Sequence, residues 1–254
     1  ELKALDDTID YAVNVHHTMQ PDWAGRLAPL DYYDAVVIHP YVHLSAGITN
    51  VITIRQALET YGHIRQVTRE YRKQFGNRPL LFSEWGVLPG RGADIRDFFC
   101  CLGTADGLFA LVEGAEEGTV VEGGLHIFFG GGIPSGMALY GWDWGAETIR
   151  KGRIGVLYEL WMNTFRDATL YEARSEAPEI ADGVPAAQAR AVRTPAGKTV
   201  VYAVNKLPVD VPLQIEVDGA PYRGAYRLET FTEKPLIHHR VYDLDEDPLQ
   251  RRKG

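Results

Sequence analysis

The sequence predicts an α/β region followed by an antiparallel β-sandwich, so the expected fold class is α/β plus all-β. Up to about residue 150, short apolar runs alternate with long amphipathic segments, as in parallel strands connected by helices. After that point, short alternating runs are separated by turn-forming residues, which is typical of antiparallel strands. We therefore expect one domain over residues 1–150 and, over residues 151–254, a linker helix followed by a second domain.

The segment from Leu80 to Val87 is the most informative predicted strand. Its apolar run carries one carboxylate, Glu84, and one indole, Trp85, near its C-terminal end. A charge at the end of a buried strand is costly unless it has a function or a partner. In α/β proteins, the carboxyl ends of strands are where chemistry occurs. Glu84 is therefore a candidate catalytic residue, the alternative being an ordinary salt bridge beneath a core tryptophan.

An upstream strand has a similar design. Ala35 to Ile38 is apolar and rich in β-branched residues, and His39 and Tyr41 follow it. Because these two residues are two positions apart, they point to the same face of an extended chain. Pro40 between them prevents a helix from continuing through this point.

A third apolar segment is predicted from residues 124–130 and 138–145. It ends in the aromatic and polar cluster Trp142, Asp143 and Trp144. The carboxyl ends of parallel strands share one edge of a sheet. We therefore expect His39, Tyr41, Glu84 and one of these tryptophans to converge on one concave surface.

The segments between these strands have helical periodicity. Residues 48–75 predict one long helix, and residues 94–117 predict a second helix or a broken pair, with Gly103 and Gly107 as weak points. Residues 2–19 form an amphipathic piece that is expected to pack on the outside. No opening strand is expected.

The second region begins with a predicted helix over residues 155–165. Its candidate strands alternate polar and apolar residues and are separated by Pro- and Gly-containing turns. They cover residues 192–194, 198–205, 211–217 and 225–232. The tail, residues 243–254, is highly charged and is expected to be frayed.

Composition excludes several function classes. The net charge of −8 argues against nucleic acid as a partner, because phosphate contacts need a basic surface. No apolar run approaches the roughly 20 residues of a membrane span. The only cysteines, Cys100 and Cys101, are adjacent and predict buried core positions without a disulfide framework. His39 and His43 have zinc-ligand spacing only on a helix, which Pro40 prevents, so no metal is expected. No phosphate-binding glycine motif fits the sequence, and no other cofactor is expected.

Three of these segments together carry a family resemblance. Residues 38–41, 82–86 and 140–144 resemble the last three strands of a retaining glycoside hydrolase of clan A. The resemblance implies that residues 1–150 are the C-terminal portion of a (β/α)8 barrel. Residues 201–206 are similar to part of the C-terminal domain of arabinofuranosidase, xylosidase and agarase-like members, which implies a β-sandwich.

The resemblance also implies roles for individual residues. Glu84 matches the nucleophile, and His39 and Tyr41 match positions that line the sugar site after strand six. Trp142 or Trp144 matches a platform on which a sugar stacks. Asp143 either holds a sugar hydroxyl or caps a turn. The implied activity is hydrolysis of a polysaccharide or oligosaccharide with retention of configuration.

The family's acid/base residue has no counterpart in this sequence, because no Asn-Glu dipeptide occurs. Retaining hydrolysis uses two carboxylates roughly 5 to 5.5 Å apart. We therefore expect the second one upstream or on another polypeptide. Two alternatives stay open: a non-catalytic carbohydrate-binding protein derived from such a barrel, and a metal-dependent barrel enzyme of unrelated chemistry.

The length supports the same expectation, because a closed barrel alone takes roughly 250 residues. Either the sheet is small and open, or this is the C-terminal portion of a longer enzyme, which we favour. The strand over residues 35–38 would then lack its upstream neighbour and expose an unpaired edge. The chain by itself should then aggregate, form a homo-oligomer by swapping domains, or bind the missing N-terminal part of the barrel.

Overall fold

The computed structural model of the protein describes residues 5–15, 21–43, 50–88, 97–125, 129–130, 139–143, 147–151, 153–173, 176–212 and 214–230. In its first part, strands and helices alternate along the chain. The elements are β1 (Ala12–Asn14), α1 (Pro21–Leu27), β2 (Ala35–Val37), β3 (Tyr41–His43), α2 (Asn50–Leu58), α3 (Thr60–Phe75), β4 (Leu80–Leu88), α4 (Asp97–Glu116) and β5 (Val120–Leu125).

The later elements are mostly short strands. They are β6 (Phe129–Gly130), β7 (Tyr140–Asp143), β8 (Thr148–Lys151), α5 (Arg153–Phe165), β9 (Thr169–Tyr171), β10 (Glu179–Ala181), β11 (Val184–Pro185), β12 (Ala187–Arg193), β13 (Thr199–Asn205), β14 (Glu216–Val217) and β15 (Ala220–Pro221). The helix predicted over residues 155–165 is confirmed as α5, which begins two residues earlier. In the described part of the chain, every helix is too short or too polar to span a bilayer.

The first five strands form one parallel sheet. Strand β1 pairs with β2, β2 and β3 pair with the two ends of β4, and β5 pairs with the other side of β4. Strands β2 and β3 lie end to end beside β4. The strands are therefore arranged across the sheet in the same order as along the chain, as in a βα array. Within the described residues this sheet does not close into a barrel.

Helices cover one face of the sheet. The buried core on that face joins side chains of the strands, such as Val36, Leu80 and Phe82, to Ile64 of α3 and Ala110 of α4. The neighbouring strand residues, which alternate with these, are more exposed. The opposite face of the sheet is therefore the one that carries accessible side chains.

The N-terminal piece corrects two expectations. Residues 12–14 are a strand, and β1 pairs in register with β2 from Ala12–Ala35 to Asn14–Val37. The strand over residues 35–38 therefore has an upstream neighbour, and the expected unpaired edge at this strand is wrong. Three residues carry too little periodicity to separate a strand from a helix. The pairing is instead decided by hydrogen bonds to residues more than twenty positions away, such as Tyr11 N–H to Asp34 Oδ2 at 2.9 Å.

The third predicted strand is displaced. The sequence pattern predicted a strand that begins at residue 124. In the structure, β5 begins at Val120 and already ends at Leu125. Strand β7 lies in a separate small sheet, parallel to β6 and antiparallel to β8.

The helices differ from expectation in where they break. Residues 50–75 form two helices, α2 and α3, separated at Glu59, while α4 is continuous through both glycines. A Cβ atom on Gly107 would lie 2.7 Å from Trp85 Cζ3, and one on Gly103 would lie 2.7 Å from the carbonyl oxygen of Ala57. The glycines therefore allow close packing of α4 and are not weak points. Both cysteines are buried in this helix, as predicted.

The second region contains antiparallel β-structure, as predicted. Strands β9, β12 and β13 form one sheet, and β10–β11 and β14–β15 form hairpins. The strand predicted over residues 225–232 is absent from its described part, residues 225–230. Of the strand predicted over residues 211–217, the described residues 211–212 and 214–217 contain only β14. The charged tail lies outside the described residues.

A buried polar cluster joins this β-structure to the helices. The carboxylate of Asp106 in α4 accepts hydrogen bonds from Gln188 Nε2 at 2.6 Å and from the backbone N–H of Tyr61 at 3.0 Å. Lys206 Nζ lies 2.9 Å from Asp106 Oδ1, and both side chains are wholly inaccessible to solvent. Burial raises the pKa of Asp106 and lowers the pKa of Lys206, because it disfavours each charged form.

Candidate active site

Strand β4 contains one more residue than its neighbours across its middle. On the side of β2 and β3, Leu81 of β4 pairs with Val37 and Gly86 of β4 pairs with Tyr41. Between these two pairs, β4 advances five residues and the segment from β2 to β3 advances four. The same excess occurs on the side of β5, where the register shifts between Phe82 and Trp85. Such a bulge re-aims side chains and is frequent beside active sites.

The bulge determines which residues of β4 face the open side of the sheet. Phe82 and Trp85 are both buried in the core beneath the helices, although residues three apart on a regular strand point to opposite faces. The two residues between them, Ser83 and Glu84, are more exposed, and both contact His39. The extra residue therefore presents two consecutive polar side chains on one face.

Tyr41 donates a hydrogen bond to the candidate carboxylate. Its hydroxyl lies 3.0 Å from Glu84 Oε2. Burial, together with the hydrogen bond to Glu84, raises the pKa of Tyr41 above its ordinary value. The hydroxyl therefore keeps its proton and acts as a donor. Hydrogen bonds of this kind favour the ionised form of a carboxylate.

His39 contacts both consecutive residues of the bulge. Its Nδ1 lies 3.5 Å from Glu84 Oε2, and its Nε2 lies 3.0 Å from Ser83 Oγ. The imidazole is largely buried, whereas Glu84 keeps 38% of its side chain exposed. The structure thus assembles two potential donors around one carboxylate that solvent can still reach.

A local turn brings His39 and Tyr41 to the same carboxylate. The N–H of Ile38 donates to the carbonyl of Leu81, and the N–H of Tyr41 donates to the carbonyl of His39. Pro40 lies between them, is buried and has no N–H to satisfy. The chain therefore folds tightly between β2 and β3, and both side chains reach Glu84 through this turn, whereas the expectation from their spacing assumed an extended chain.

The described residues include only some of the tryptophans near the candidate site. Trp85, beside Glu84, is buried against α4 and is therefore a core residue. Trp142 lies in β7 and is half-buried, and its backbone pairs with Ile149. Asp143 ends β7, its side chain lying outside the described part, and Trp144 lies outside the described residues. The convergence of Trp142 or Trp144 with Glu84 stays a prediction.

Ser83 is a member of the cluster that the sequence pattern did not identify. On a regular strand it would face away from Glu84, because adjacent side chains alternate. The only signal available was two consecutive polar residues inside an otherwise apolar run. That signal does not distinguish a bulge from a strand that simply ends.

The described residues contain no group of three or more His, Cys, Asp or Glu side chains arranged to hold a metal ion. The chemistry available in the described cluster is that of a carboxylate, an imidazole and two hydroxyls. These groups can perform nucleophilic attack and proton transfer.

No protein-family model and no curated protein sequence matches the chain. Solved structures do match. The GH51 arabinofuranosidase from Xanthomonas axonopodis pv. citri is 16% identical, with a TM-score of 0.56 over 77% of this chain and 43% of that one. The alpha-L-arabinofuranosidase from Thermotoga maritima is 14% identical, with a TM-score of 0.59 over 80% of this chain and 44% of that one.

A third structure, the thermostable GH51 alpha-L-arabinofuranosidase from Thermotoga petrophila RKU-1, is 14% identical, with a TM-score of 0.52 over 80% of this chain and 44% of that one. The chain thus spans less than half the length of each of these enzymes. At such identities the likeness concerns the fold alone, and at that level it confirms the predicted resemblance. The chain shares with part of these enzymes an α/β region followed by antiparallel β-structure.

Proposed function

We propose that this chain supplies the nucleophile of a retaining glycoside hydrolase, and that Glu84 is that nucleophile. The observation that carries the proposal is the contact of Tyr41 and His39 with one oxygen of an accessible carboxylate. A glycosidase nucleophile must be ionised and must reach the anomeric carbon. The position of Glu84 on a parallel strand of a glycosidase-like fold supports the same role.

In the proposed reaction, Glu84 attacks the anomeric carbon and the glycosidic oxygen leaves with a proton from a second carboxylic acid. Water, deprotonated by that second group, then attacks the anomeric carbon and releases Glu84. Tyr41 and His39 stabilise the carboxylate before attack and after release. Because no Asn-Glu pair occurs in the sequence, the proposal assigns the second carboxylic acid to residues beyond it or to another polypeptide.

The proposed substrate is an oligosaccharide or polysaccharide. L-Arabinofuranosides are the first compounds to test, because the similar structures are arabinofuranosidases. In this proposal, Trp142 or Trp144 provides a stacking surface for a sugar ring, and Asp143 binds a sugar hydroxyl. The proposed complete architecture is a (β/α)8 barrel followed by a β-sandwich.

Covalent trapping tests the role of Glu84 without the acid/base residue. A 2,4-dinitrophenyl 2-deoxy-2-fluoro-α-L-arabinofuranoside has a leaving group that needs no protonation, and its fluorine slows hydrolysis of the intermediate. Mass spectrometry of the treated protein should find one sugar attached to the peptide that contains Glu84. The Glu84→Gln variant should stay unlabelled.

The matched control is Glu116→Gln, which removes an exposed carboxylate at the end of α4. It should label like the wild type. A label on a different residue, or labelling of Glu84→Gln, would exclude Glu84 as the nucleophile.

The second candidate function is carbohydrate binding without catalysis. The absence of an Asn-Glu pair favours it, since a binding protein needs no acid/base. Calorimetry with arabino-oligosaccharides separates the two candidates. Binding without any covalent label on Glu84 would support the binding protein.

A further inference from the structure

Ser83 and Glu84 approach the same imidazole from different sides. Ser83 Oγ lies 3.0 Å from Nε2 of His39, and Glu84 Oε2 lies 3.5 Å from Nδ1. The two ring nitrogens therefore face different chemical groups. One faces a hydroxyl, which can donate or accept a hydrogen bond, and the other faces a carboxylate, which only accepts when ionised.

This difference determines which tautomer suits the site. A neutral imidazole carries one proton, and its second nitrogen is an acceptor. With the proton on Nδ1, the ring directs an N–H at Glu84, and Nε2 is left to accept from Ser83. With the proton on Nε2, the Nδ1 lone pair would face the carboxylate and repel it.

We propose that Ser83 is a positioning residue that donates its hydroxyl proton to His39 Nε2 and thereby holds the ring in the Nδ1–H tautomer. The N–H of Nδ1 then points at Oε2 of Glu84, the oxygen that also accepts from Tyr41. This inference rests on the proposed role of Glu84 as the nucleophile. Ser83 acts through His39 and does not touch the substrate.

The bulge of β4 is what allows this arrangement. On a regular strand Ser83 would lie on the face opposite to Glu84. The extra residue between Phe82 and Trp85 brings both side chains to His39. The bulge thus supplies the carboxylate and the group that orients its donor from adjacent positions of one strand.

The tautomer of His39 is directly measurable. Long-range ¹H–¹⁵N correlation spectra of the imidazole rings distinguish Nδ1–H, Nε2–H and doubly protonated histidine. We expect the Nδ1–H form for His39 in alkaline buffer, with its signals assigned from their loss in His39→Gln. Ser83→Ala should shift His39 toward the Nε2–H form, and Ser83→Thr, which keeps the hydroxyl, should restore the wild-type pattern.

Two results would overturn the proposal. An unchanged tautomer in Ser83→Ala would show that the hydroxyl does not control the ring. A doubly protonated ring in alkaline buffer would make Ser83 an acceptor. Because Ser83 is exposed, its variants should melt at the wild-type temperature, so that a change of tautomer does not reflect unfolding.

Covalent trapping separates this proposal from the proposed function. Ser83→Ala should slow labelling of Glu84 several-fold, and Ser83→Thr should recover it. A tautomer that responds to Ser83 while Glu84 stays unlabelled supports the positioning role and contradicts the nucleophile. If Glu84 is labelled but the tautomer of His39 does not change in Ser83→Ala, the nucleophile is supported and the positioning role is contradicted.

The order hydroxyl, imidazole and carboxylate is also that of an acyl-transfer triad. A fluorophosphonate probe distinguishes a positioning serine from a nucleophilic serine, because it reacts only with activated serine nucleophiles. We expect no phosphonylation of Ser83. A phosphonylated Ser83 would make it a nucleophile and would overturn its positioning role.

Discussion

Glu84 and Asp106 are two carboxylates of the same α/β region with opposite surroundings. Glu84 lies on the open face of the sheet, keeps part of its side chain in solvent and contacts Tyr41 and His39. Asp106 lies in α4, is wholly buried, and is paired with Lys206 and two N–H donors. Solvent accessibility and the charge of the partner therefore separate a candidate nucleophile from a carboxylate that anchors the fold.

The surroundings of Glu84 and Asp106 contact each other through the residues that follow them in the chain. Gly107 follows Asp106 in α4 and packs against the ring of Trp85, which follows Glu84 in β4. The anchor thus adjoins the strand that carries the candidate nucleophile. Substitutions in either region therefore test whether the two carboxylates are as different as their surroundings indicate.

The largest expected effect is on turnover in Glu84→Gln. This substitution keeps the shape of the side chain but removes the nucleophile, so the rate of aryl-glycoside hydrolysis should fall by orders of magnitude with folding intact. Azide should restore activity to Glu84→Ala or Glu84→Gly by replacing the missing carboxylate. The assay needs a protein that contains the acid/base residue. If Glu84→Gln were nearly as active as the wild type, Glu84 would not be the nucleophile and would not differ in function from Asp106.

Asp106→Asn should instead lower stability. It leaves the ammonium of Lys206 buried without its counter-charge, which costs about 3–5 kcal/mol in comparable pairs. Denaturant unfolding measures this change in the free energy of unfolding. The double variant Asp106→Asn with Lys206→Met removes both charges, keeps an amide oxygen as an acceptor for the buried N–H donors, and should lose less stability than Asp106→Asn alone. A loss below about 1 kcal/mol in Asp106→Asn would contradict a buried ion pair, since exposed pairs contribute that little.

Tyr41→Phe should reduce turnover by about 10- to 100-fold, which corresponds to the roughly 1.5–3 kcal/mol of a hydrogen bond to a charged group. Only the hydroxyl that donates to Glu84 is removed, so the packing of the ring is retained. The raised pKa of Tyr41 means that its hydroxyl stays protonated where exposed tyrosines ionise, near pH 10. Tyr32→Phe, at an exposed tyrosine, is the control and should leave turnover unchanged.

Gly107→Ala should destabilise the protein by about 1–3 kcal/mol, because the added methyl group overlaps the ring of Trp85. Gly25→Ala is the matched control, since its Cβ would have no neighbour closer than 3.8 Å. That control should stabilise α1 by roughly 0.5–1 kcal/mol. Thermal melting and the rate of Glu84 labelling should be measured together. Equal stability of the two variants would contradict the close packing of α4 on β4.

The sequence is sufficient for much of the candidate site. The apolar runs before His39 and Glu84 predict that these two side chains meet, because the ends of neighbouring parallel strands share one edge of a sheet. The turn at Pro40 that brings Tyr41 to the same carboxylate was not predicted. The same reasoning failed at β1. Its three residues become a strand only through hydrogen bonds to a segment more than twenty positions away.

Local sequence patterns account for the alternation of strands and helices, the antiparallel character of the second region and the choice of Glu84 as a candidate. Three other features arise only when the chain folds: the bulge that adds Ser83 to the site, the close packing at Gly107 and the pairing of Asp106 with Lys206. Register, close contact and ion pairing depend on which distant residues become neighbours. Hydrophobic periodicity records only which face of each element is buried.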